Sequence, residues 1–238
     1  MQLLHVGDRL ITGYEVIPLL AGYQMLPQLY RQIAIDSAIA DLELLPQEQD
    51  LALEQFYAKY QLTTAAERQA YLQYYGLTKE QLYDAATRDR KIEKFKQTTW
   101  GEKLAAYFLN HKSKLDRVIY SILRHSDALV AQEMYFRIQS GEQTFAECAT
   151  QYSQGVEAET GGIIGPVELS TPHPVLAQML ANAQPGKLIP PTRLAQWYVV
   201  VRLEKFIPAQ LDEAMKQKLL DKLFETWLTE QIKQCGIQ

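Results

Sequence analysis

Apolar residues recur at every third or fourth position through most of the first 113 residues. Residues 26–40 form one such stretch, and the spacing predicts a helix with one apolar face. A second helix is predicted over residues 47–60. Before them, residues 3–12 are expected to form one short strand. This part of the chain is therefore predicted to be almost entirely helical.

Capping residues mark where the next helices begin and end. Thr64 followed by Glu67 has the pattern of a capping box, and Gly76 is typical of a left-handed residue that ends a helix. Thr78 followed by Gln81 repeats the capping box. These residues predict a third helix between the first box and Gly76, and a fourth that begins after Thr78.

The fourth helix is predicted to be long, over residues 79–110, with a kink near Gly101. The polar run Asn110–Lys114 is expected to be a linker. A last amphipathic helix is predicted over Leu211–Gln234, after Pro208. Because an isolated helix gains little stability from propensity alone, the apolar side of this last helix needs a partner surface.

Over residues 115–208 the helical spacing of apolar residues gives way to a mixture of strand-like and helical segments. Val118–Leu123 and Trp197–Leu203 are runs of strand length, rich in β-branched and aromatic residues, and they predict two strands. Between them lie two helices, the second with the sequence FAECATQYS, then a glycine-rich turn, a third short helix and a Pro-Gly turn. One β-α-α-β-α-β unit accounts for this order, so the predicted fold class is α+β.

Charge and hydropathy argue against two classes of partner. The formal net charge is −4 and the pI is near 5.7, and no basic stripe is present, so no nucleic-acid partner is expected. The most apolar window, residues 16–35, is interrupted by prolines, glutamines and an arginine, so no membrane span is predicted. The N-terminus lacks the pattern of a signal peptide, and we expect a cytoplasmic protein.

Metal and thiol chemistry is not indicated. Neither the cysteines, Cys148 and Cys235, nor the four histidines have metal-ligand spacing, so no metal and no cofactor are expected. Cys148 lies on a helix face that is predicted to be buried, and it is interpreted as a packing thiol. His5 and His111 are interpreted as surface residues.

The order of elements in residues 115–208 resembles a parvulin-type peptidyl-prolyl isomerase domain. The matching residues are Phe145, Ala146, Ala149, Tyr152 and Ser153 in a helix, Gly161, Gly162 and Gly165 in one turn, and Pro185 and Gly186 in another. The resemblance implies an FKBP-like fold with a four-stranded, mostly antiparallel sheet and surrounding helices. It also implies isomerisation of X-Pro bonds.

Residues 1–114 resemble the N-terminal chaperone region of periplasmic foldases of the SurA and PrsA kind. The matching feature is a helix, a Gly-Leu-Thr turn and a long helix that leads toward the isomerase domain. The resemblance implies a helical domain over 1–114, completed by a returning C-terminal helix over 209–238, and a separate isomerase domain over 115–208. A dimeric coiled coil is the alternative for the last helix. The implied partners are proline-containing or unfolded polypeptides.

Isomerisation of an X-Pro bond requires no nucleophile or metal, because low polarity and contacts that fit the twisted amide are sufficient. The parvulin site uses an apolar proline pocket above two histidines and a Cys or Asp. On that pattern, Ser121 and Val199 stand at the histidine positions and Gly155 at the Cys or Asp position. Ser121 and the neighbouring Tyr120 are therefore the candidate catalytic residues.

The resemblance places Ile164, Pro172 and Leu176 at the proline-pocket positions, so the pocket is expected to be apolar. Ser121 and Val199 are expected to form its floor, and Gly155 is included among the substrate-binding candidates. Two hypotheses follow. The protein is a prolyl isomerase that helps clients to fold, or it is a non-catalytic peptide-binding chaperone or adaptor on a degenerate parvulin scaffold.

Other residues have a structural and a functional interpretation. His125 is interpreted as part of a helix cap, and His173, beside the predicted pocket, as a residue that opens a helix or contacts substrate. Recognition of a phosphopeptide would need clustered Lys or Arg residues after the first predicted strand. Only Arg124 is present there, so phosphopeptide recognition is not predicted. A group of five tyrosines has two interpretations: it is a mixture of helix-core and surface residues, or it lines a peptide groove. They are Tyr57, Tyr60, Tyr71, Tyr74 and Tyr75.

Overall fold

The chain divides into two units in a computed structural model that describes residues 3–234. One unit contains the described residues up to Leu104 together with those from Glu213 onward, and the other is Ala105–Asp212. The side chains of residues 6–234 are described, so the predictions for His5 and Cys235 lie outside the described side chains.

The first unit is helical apart from a hairpin. Its strands β1 (Leu3–Val6) and β2 (Arg9–Thr12) pair antiparallel, so the single strand predicted here is two strands joined by a turn. The helices that follow are α1 (Gly13–Gly22), α2 (Leu26–Ile39), α3 (Pro46–Lys59), α4 (Ala65–Tyr75) and α5 (Lys79–Trp100). Within residues 3–234, no helix is both long enough and apolar enough to cross a membrane.

The predicted helix caps are confirmed. The Thr64 hydroxyl accepts a hydrogen bond from the Glu67 N–H, and Thr78 does the same for Gln81, so each satisfies an N–H that the helix leaves unpaired. Gly76 ends α4 with φ 63°, in the left-handed region that glycine enters without steric cost. Local sequence chemistry therefore sets these boundaries.

The long fourth helix is interrupted near the predicted position. Gly101–Lys103 form a 3₁₀ turn, and α6 then spans Leu104–Leu115. The predicted linker Asn110–Lys114 is wrong, because those residues belong to α6. Lys112 makes an ion pair with Asp116 (Nζ to Oδ1, 2.8 Å) at the C-terminal end of the helix, where a cation is favourable.

The second unit is built on an antiparallel sheet with strand order β4-β3-β6-β5. Its elements after α6 are β3 (Arg117–His125), α7 (Ala128–Ser140), α8 (Phe145–Tyr152), β4 (Ile163–Glu168), α9 (Pro174–Ala181), β5 (Leu188–Leu194) and β6 (Trp197–Ile207). The predicted α+β class and four-stranded sheet are confirmed.

The two faces of this sheet bury different residues. Tyr120 and Ile122 of β3 share one face with Val199 of β6 and pack toward α9. Leu123 and Val200 lie on the opposite face and pack against α7 and α8. Because successive strand residues point to opposite faces, no residue of β3 belongs to both of these clusters.

The C-terminal helix α10 (Glu213–Gln234) packs on α2 and α5 of the first unit, as predicted. Phe224 and Leu228 are its buried contacts with α2, while Leu223 and Trp227 are half-buried. The sequence predicts an apolar side formed by Met215, Leu219, Leu223, Trp227 and Ile232. The buried residues Leu220, Phe224 and Leu228 therefore lie one residue beyond that side. Packing against α2 and α5 supplies the partner surface that an isolated helix lacks.

Candidate functional site

A cavity of about 370 Å³ opens on the sheet face that carries Tyr120. Strands β3 and β6, helix α9 and the β5–β6 turn all contribute to it. Its lining residues are Tyr120, Ile122, Arg124, Pro172, His173, Leu176, Leu194, Ala195, Gln196, Trp197 and Val199. Most of these side chains are apolar, so the cavity offers an apolar ligand a surface with few polar groups.

Strand register decides which residues reach the cavity. Arg124 lies opposite Val199 in the β3–β6 ladder, and Ile122 lies opposite Val201. Residues directly opposite one another share a face, so alternation along β3 places Tyr120, Ile122 and Arg124 on the face of Val199. This face forms the floor of the cavity.

Helix α9 and the segment before it form one wall. Leu176 is buried in α9, and Pro172 lies just before the helix. His173 is the N-cap residue, and its Nδ1 accepts a hydrogen bond from the Val175 N–H at 3.3 Å. Pro174 stands at the first helical position, where a missing N–H costs nothing. A substrate contact by His173 stays a prediction.

Ser121 lies outside the cavity, so its predicted place on the pocket floor is corrected. It follows Tyr120 directly and therefore points to the opposite face of the sheet. Its hydroxyl donates a hydrogen bond to Glu204 Oε1 at 2.5 Å, and Arg202 Nε donates to the same oxygen at 2.8 Å. Ser121 is thus buried in a structural contact, away from the cavity.

Ile164 and Gly155 were also assigned to the pocket, and neither lines the cavity. Ile164 pairs with Tyr120 in the β3–β4 ladder and packs against the same hydrophobic cluster. Gly155 precedes the 3₁₀ turn Val156–Thr160. The structure therefore brings four predicted residues together at the cavity: Tyr120, Pro172, Leu176 and Val199. Their binding roles stay predictions.

The wall formed by the β5–β6 turn was not predicted. Leu194 pairs with Trp197, which leaves Ala195 and Gln196 as a two-residue loop, and Ala195 has φ 53°. Two-residue hairpin loops usually contain Asn-Gly or Asp-Gly. The sequence Leu-Ala-Gln-Trp lacks that signal, so a hairpin at this position is not apparent from the pattern.

Arg124 carries an ion pair beside the cavity. Its Nε donates a hydrogen bond to Glu157 Oε1 at 2.8 Å, and the Ser153 hydroxyl donates to the same oxygen at 2.6 Å. The Glu157 side chain is 0% exposed, and its Oε2 has no hydrogen-bond partner among the described residues. An unsatisfied buried acceptor costs about 1–3 kcal/mol, more when charged. Burying this carboxylate lowers the stability of the fold, so a contribution to stability does not explain why Glu157 is buried here.

The Tyr120 hydroxyl is protonated at neutral pH. Burial raises the pKa of Tyr120 above its ordinary value of 10.0, the charge of Arg124 opposes this, and the charge of Glu157 adds to it. The phenol therefore keeps its proton and offers a hydrogen-bond donor on the cavity floor.

The remaining single residues have structural roles. His125 Nδ1 accepts a hydrogen bond from the Asp127 N–H at 3.0 Å, which confirms its interpretation as part of a helix cap. Cys148 is buried, and burial raises the pKa of its thiol, as expected of a packing residue. His111 is half-buried and stacks on Tyr107, so it is not a simple surface residue.

The sheet order, the flanking helices and the apolar cavity on one face together define a parvulin-type domain. Residues 126–205 match the family model described as Rotamase, PPIC-type PPIASE domain. The chain therefore carries a PPIC-type peptidyl-prolyl isomerase domain. No curated protein matches the sequence.

Solved structures resemble the chain over nearly its whole length. PrsA from Bacillus cereus is 16% identical with a TM-score of 0.52, and the match covers 99% of this chain and 92% of that chain. PrsA from Bacillus anthracis is 18% identical, covering 89% and 98%, with a TM-score of 0.48. A SurA-like chaperone from Campylobacter jejuni is 20% identical, covering 98% and 94%, with a TM-score of 0.40. The Bacillus cereus match shows a shared fold.

Proposed function

We propose that the protein is a peptidyl-prolyl cis-trans isomerase-type foldase that acts on X-Pro bonds of proline-containing or unfolded polypeptides. The observation that carries this proposal is the apolar cavity in which Tyr120, Leu176 and Val199 meet, within the domain matched as PPIC-type. Its volume of about 370 Å³ is within the range of small-ligand pockets. A proline ring and its amide are ligands of suitable size and polarity.

The cavity supplies the physical conditions that the reaction needs. The barrier to amide rotation is ~18–20 kcal/mol, so uncatalysed X-Pro exchange takes tens to hundreds of seconds. The planar amide is more polar than the twisted one, so apolar surroundings disfavour the planar ground state. Leu176, Pro172 and Val199 provide those surroundings, and contacts that fit the twisted amide better than the planar one lower the barrier.

The test is a protease-coupled isomerisation assay on a proline tetrapeptide. The parent protein should accelerate exchange, and Leu176→Asp should abolish the acceleration, because a buried unpaired carboxylate costs several kcal/mol and draws in water. Leu129→Asp is the matched control, since Leu129 is 75% exposed on α7 of the same unit. Pro172→Ser, at a half-buried position of the wall, gives a second variant if Leu176→Asp does not fold. A parent rate equal to the background rate would contradict catalysis.

A non-catalytic peptide-binding chaperone is the second candidate, and a tyrosine surface on the first unit favours it. This surface consists of Phe56, Tyr60, Tyr71, Tyr74 and Tyr75, whose neighbouring rings lie 4.6–5.4 Å apart. Tyr74 and Tyr75 are 82% and 55% exposed. Aromatic rings with a hydroxyl offer apolar area and a hydrogen bond to an extended chain.

A groove of about 540 Å³ runs between part of this tyrosine surface and α5. Tyr57 adjoins this surface through an edge contact with Phe56, at 6.4 Å between ring centroids. Its ring lies beneath the Arg68 guanidinium at 4.1 Å. Binding of an unfolded client without any effect on the tetrapeptide exchange rate would support this second function alone. Binding together with acceleration would support a foldase with two sites.

A further inference from the structure

The space beside Gly155 is filled by the carboxylate of Glu157. A Cβ at Gly155 would overlap Glu157 Oε2 and would lie 2.5 Å both from Oε1 and from Arg124 Nε. The φ of Gly155 is −108°, which any residue adopts, so its backbone does not require glycine. Glycine is required at position 155 because the Glu157 carboxylate occupies the space that a side chain would need. The carboxylate thus stands where a side chain at position 155 would stand.

This carboxylate holds one polar group of the cavity in place. Arg124 lines the cavity with a side chain that is 32% exposed, and the described residues hydrogen-bond only its Nε. Its Nη groups keep their N–H donors for a ligand. A long arginine side chain without such a partner extends its charged end into water. Glu157, buried and also bound by Ser153, fixes the guanidinium in one position.

We propose that Arg124 binds the carbonyl oxygen of the residue that precedes the proline, and that Glu157 is the positioning residue for Arg124. Arg124 lies directly opposite Val199 in the ladder, so a proline ring that packs on Val199 can place its preceding carbonyl within reach of the guanidinium. A donor that meets this oxygen in its rotated position favours the twisted amide. This inference rests on the proposed function and names a further residue of the same site.

The charge of the pair also bears on specificity. Glu157 neutralises Arg124, so the site does not present a net positive charge to the residue before proline. We therefore expect similar kcat/KM for peptides with Glu, Gln or Lys at that position. The recognised group is a backbone carbonyl, which every X-Pro peptide carries.

The first experiment pairs a change in the protein with a change of one substrate atom. Arg124→Gln should lower kcat/KM about tenfold or more, the effect of one hydrogen bond to a charged donor. The parent should also lose acceleration on a peptide whose preceding carbonyl is a thiocarbonyl, a weaker acceptor. Arg124→Gln should show little further loss on that peptide. Equal sensitivity to the sulfur atom in parent and variant would overturn the proposal.

The second experiment moves the carboxylate. Glu157→Ala should lose activity as Arg124→Gln does, whereas Glu159→Ala, an exposed acid in the same turn, should behave as the parent. Gly155→Asp/Glu157→Ala should recover most of the lost activity, because it returns a carboxylate to the same space. Gly155→Ala/Glu157→Ala should melt as Glu157→Ala does without recovering activity. Failure of the aspartate variant to recover more than the alanine variant would contradict the positioning role.

These outcomes separate this inference from the proposed function. A parent that accelerates exchange but shows no coupling between Arg124 and the carbonyl contradicts this inference alone. If the parent binds the peptide without accelerating exchange, the same variants are compared with the parent by their Kd for that peptide. A parent that neither accelerates exchange nor binds a labelled proline peptide contradicts the proposed function, and with it the role given to Arg124.

Discussion

Close packing excludes a side chain at some glycines of the isomerase unit, Ala105–Asp212, and at no described glycine of the helical unit. Gly141 and Gly186 of the isomerase unit have open space around them, as most glycines of the helical unit do. In the isomerase unit, Gly162 and Gly165 have φ of 85° and 115°, and a Cβ at either would lie within 3 Å of neighbouring atoms. In the helical unit, Gly7 and Gly76 also have positive φ, but a Cβ there meets nothing within 4 Å. Backbone conformation and close packing therefore both exclude a side chain at Gly162 and Gly165.

Both units bury apolar residues completely, but the helical unit also contains a helix that buries none. Val118 and Val200 of the sheet are 0% exposed, and so are Leu219 and Leu228 of α10, whereas α1 buries no residue and its Tyr14 is 86% exposed. Both units therefore have a closely packed core, while the helical unit also leaves aromatic area available to a partner. Substitutions in the two units should consequently differ in what they change.

The largest effect is expected from Gly165→Val. A Cβ at this position would lie 2.5 Å from the Val118 carbonyl oxygen, and φ of 115° is strained for a β-branched residue. Strain and overpacking together should cost about 2–5 kcal/mol of unfolding free energy. Denaturant unfolding measures this cost.

Gly76→Ala is the matched control for that experiment, since it has positive φ without a clash. It should cost only about 1–2 kcal/mol, the penalty for a left-handed alanine. Equal losses for the two variants would remove close packing as the difference between Gly165 and Gly76.

The next effect separates client binding from catalysis. Tyr74→Ser/Tyr75→Ser removes two exposed rings of the tyrosine surface and should weaken binding of an unfolded client about tenfold, as loss of aromatic contact area does. The tetrapeptide exchange rate should stay at the parent value. Fluorescence titration with a labelled unfolded protein measures the binding. An unchanged Kd would exclude this surface as a client site.

A smaller effect distinguishes the two faces of β3. Tyr120→Phe removes a donor from the cavity floor and should lower kcat/KM by up to about tenfold, since a neutral hydrogen bond contributes ~0.5–1.5 kcal/mol. Ser121→Ala should leave kcat/KM unchanged and lower stability by a similar energy, because its hydroxyl binds Glu204 on the other face. The isomerisation assay and thermal melting measure the two effects. A larger rate loss for Ser121→Ala would reverse the assignment.

The smallest effect concerns acid stability of the helical unit. Hydrogen bonds from the Leu45 N–H, Arg90 and Lys94 lower the pKa of Glu48 from 4.5 to about 2. A carboxyl whose pKa is lower in the folded state stabilises the fold above pH 4.5, and this contribution is lost as pH falls toward about 2. Glu48→Gln should flatten the decline of melting temperature across that window. A decline as steep as the parent's would contradict this origin.

Sequence alone determined the features that depend on short-range chemistry. The capping boxes at Thr64 and Thr78 and the glycine at 76 set helix ends through contacts within a few residues, and the structure shows those contacts. The α+β class and the four-stranded sheet follow from the order of helical and strand patterns. The apolar face of the last helix indicated its need for a partner.

Only the tertiary structure decided which residues form the cavity. A strand pattern with period two does not say which face meets α9, so Tyr120 and Ser121 were equivalent candidates until the ladder placed Arg124 opposite Val199. The irregularity between Ile119 and Tyr120 further alters the register along β3. Likewise, no local signal shows that the Glu157 carboxylate fills the space beside Gly155, because that contact depends on how the turn packs against β3.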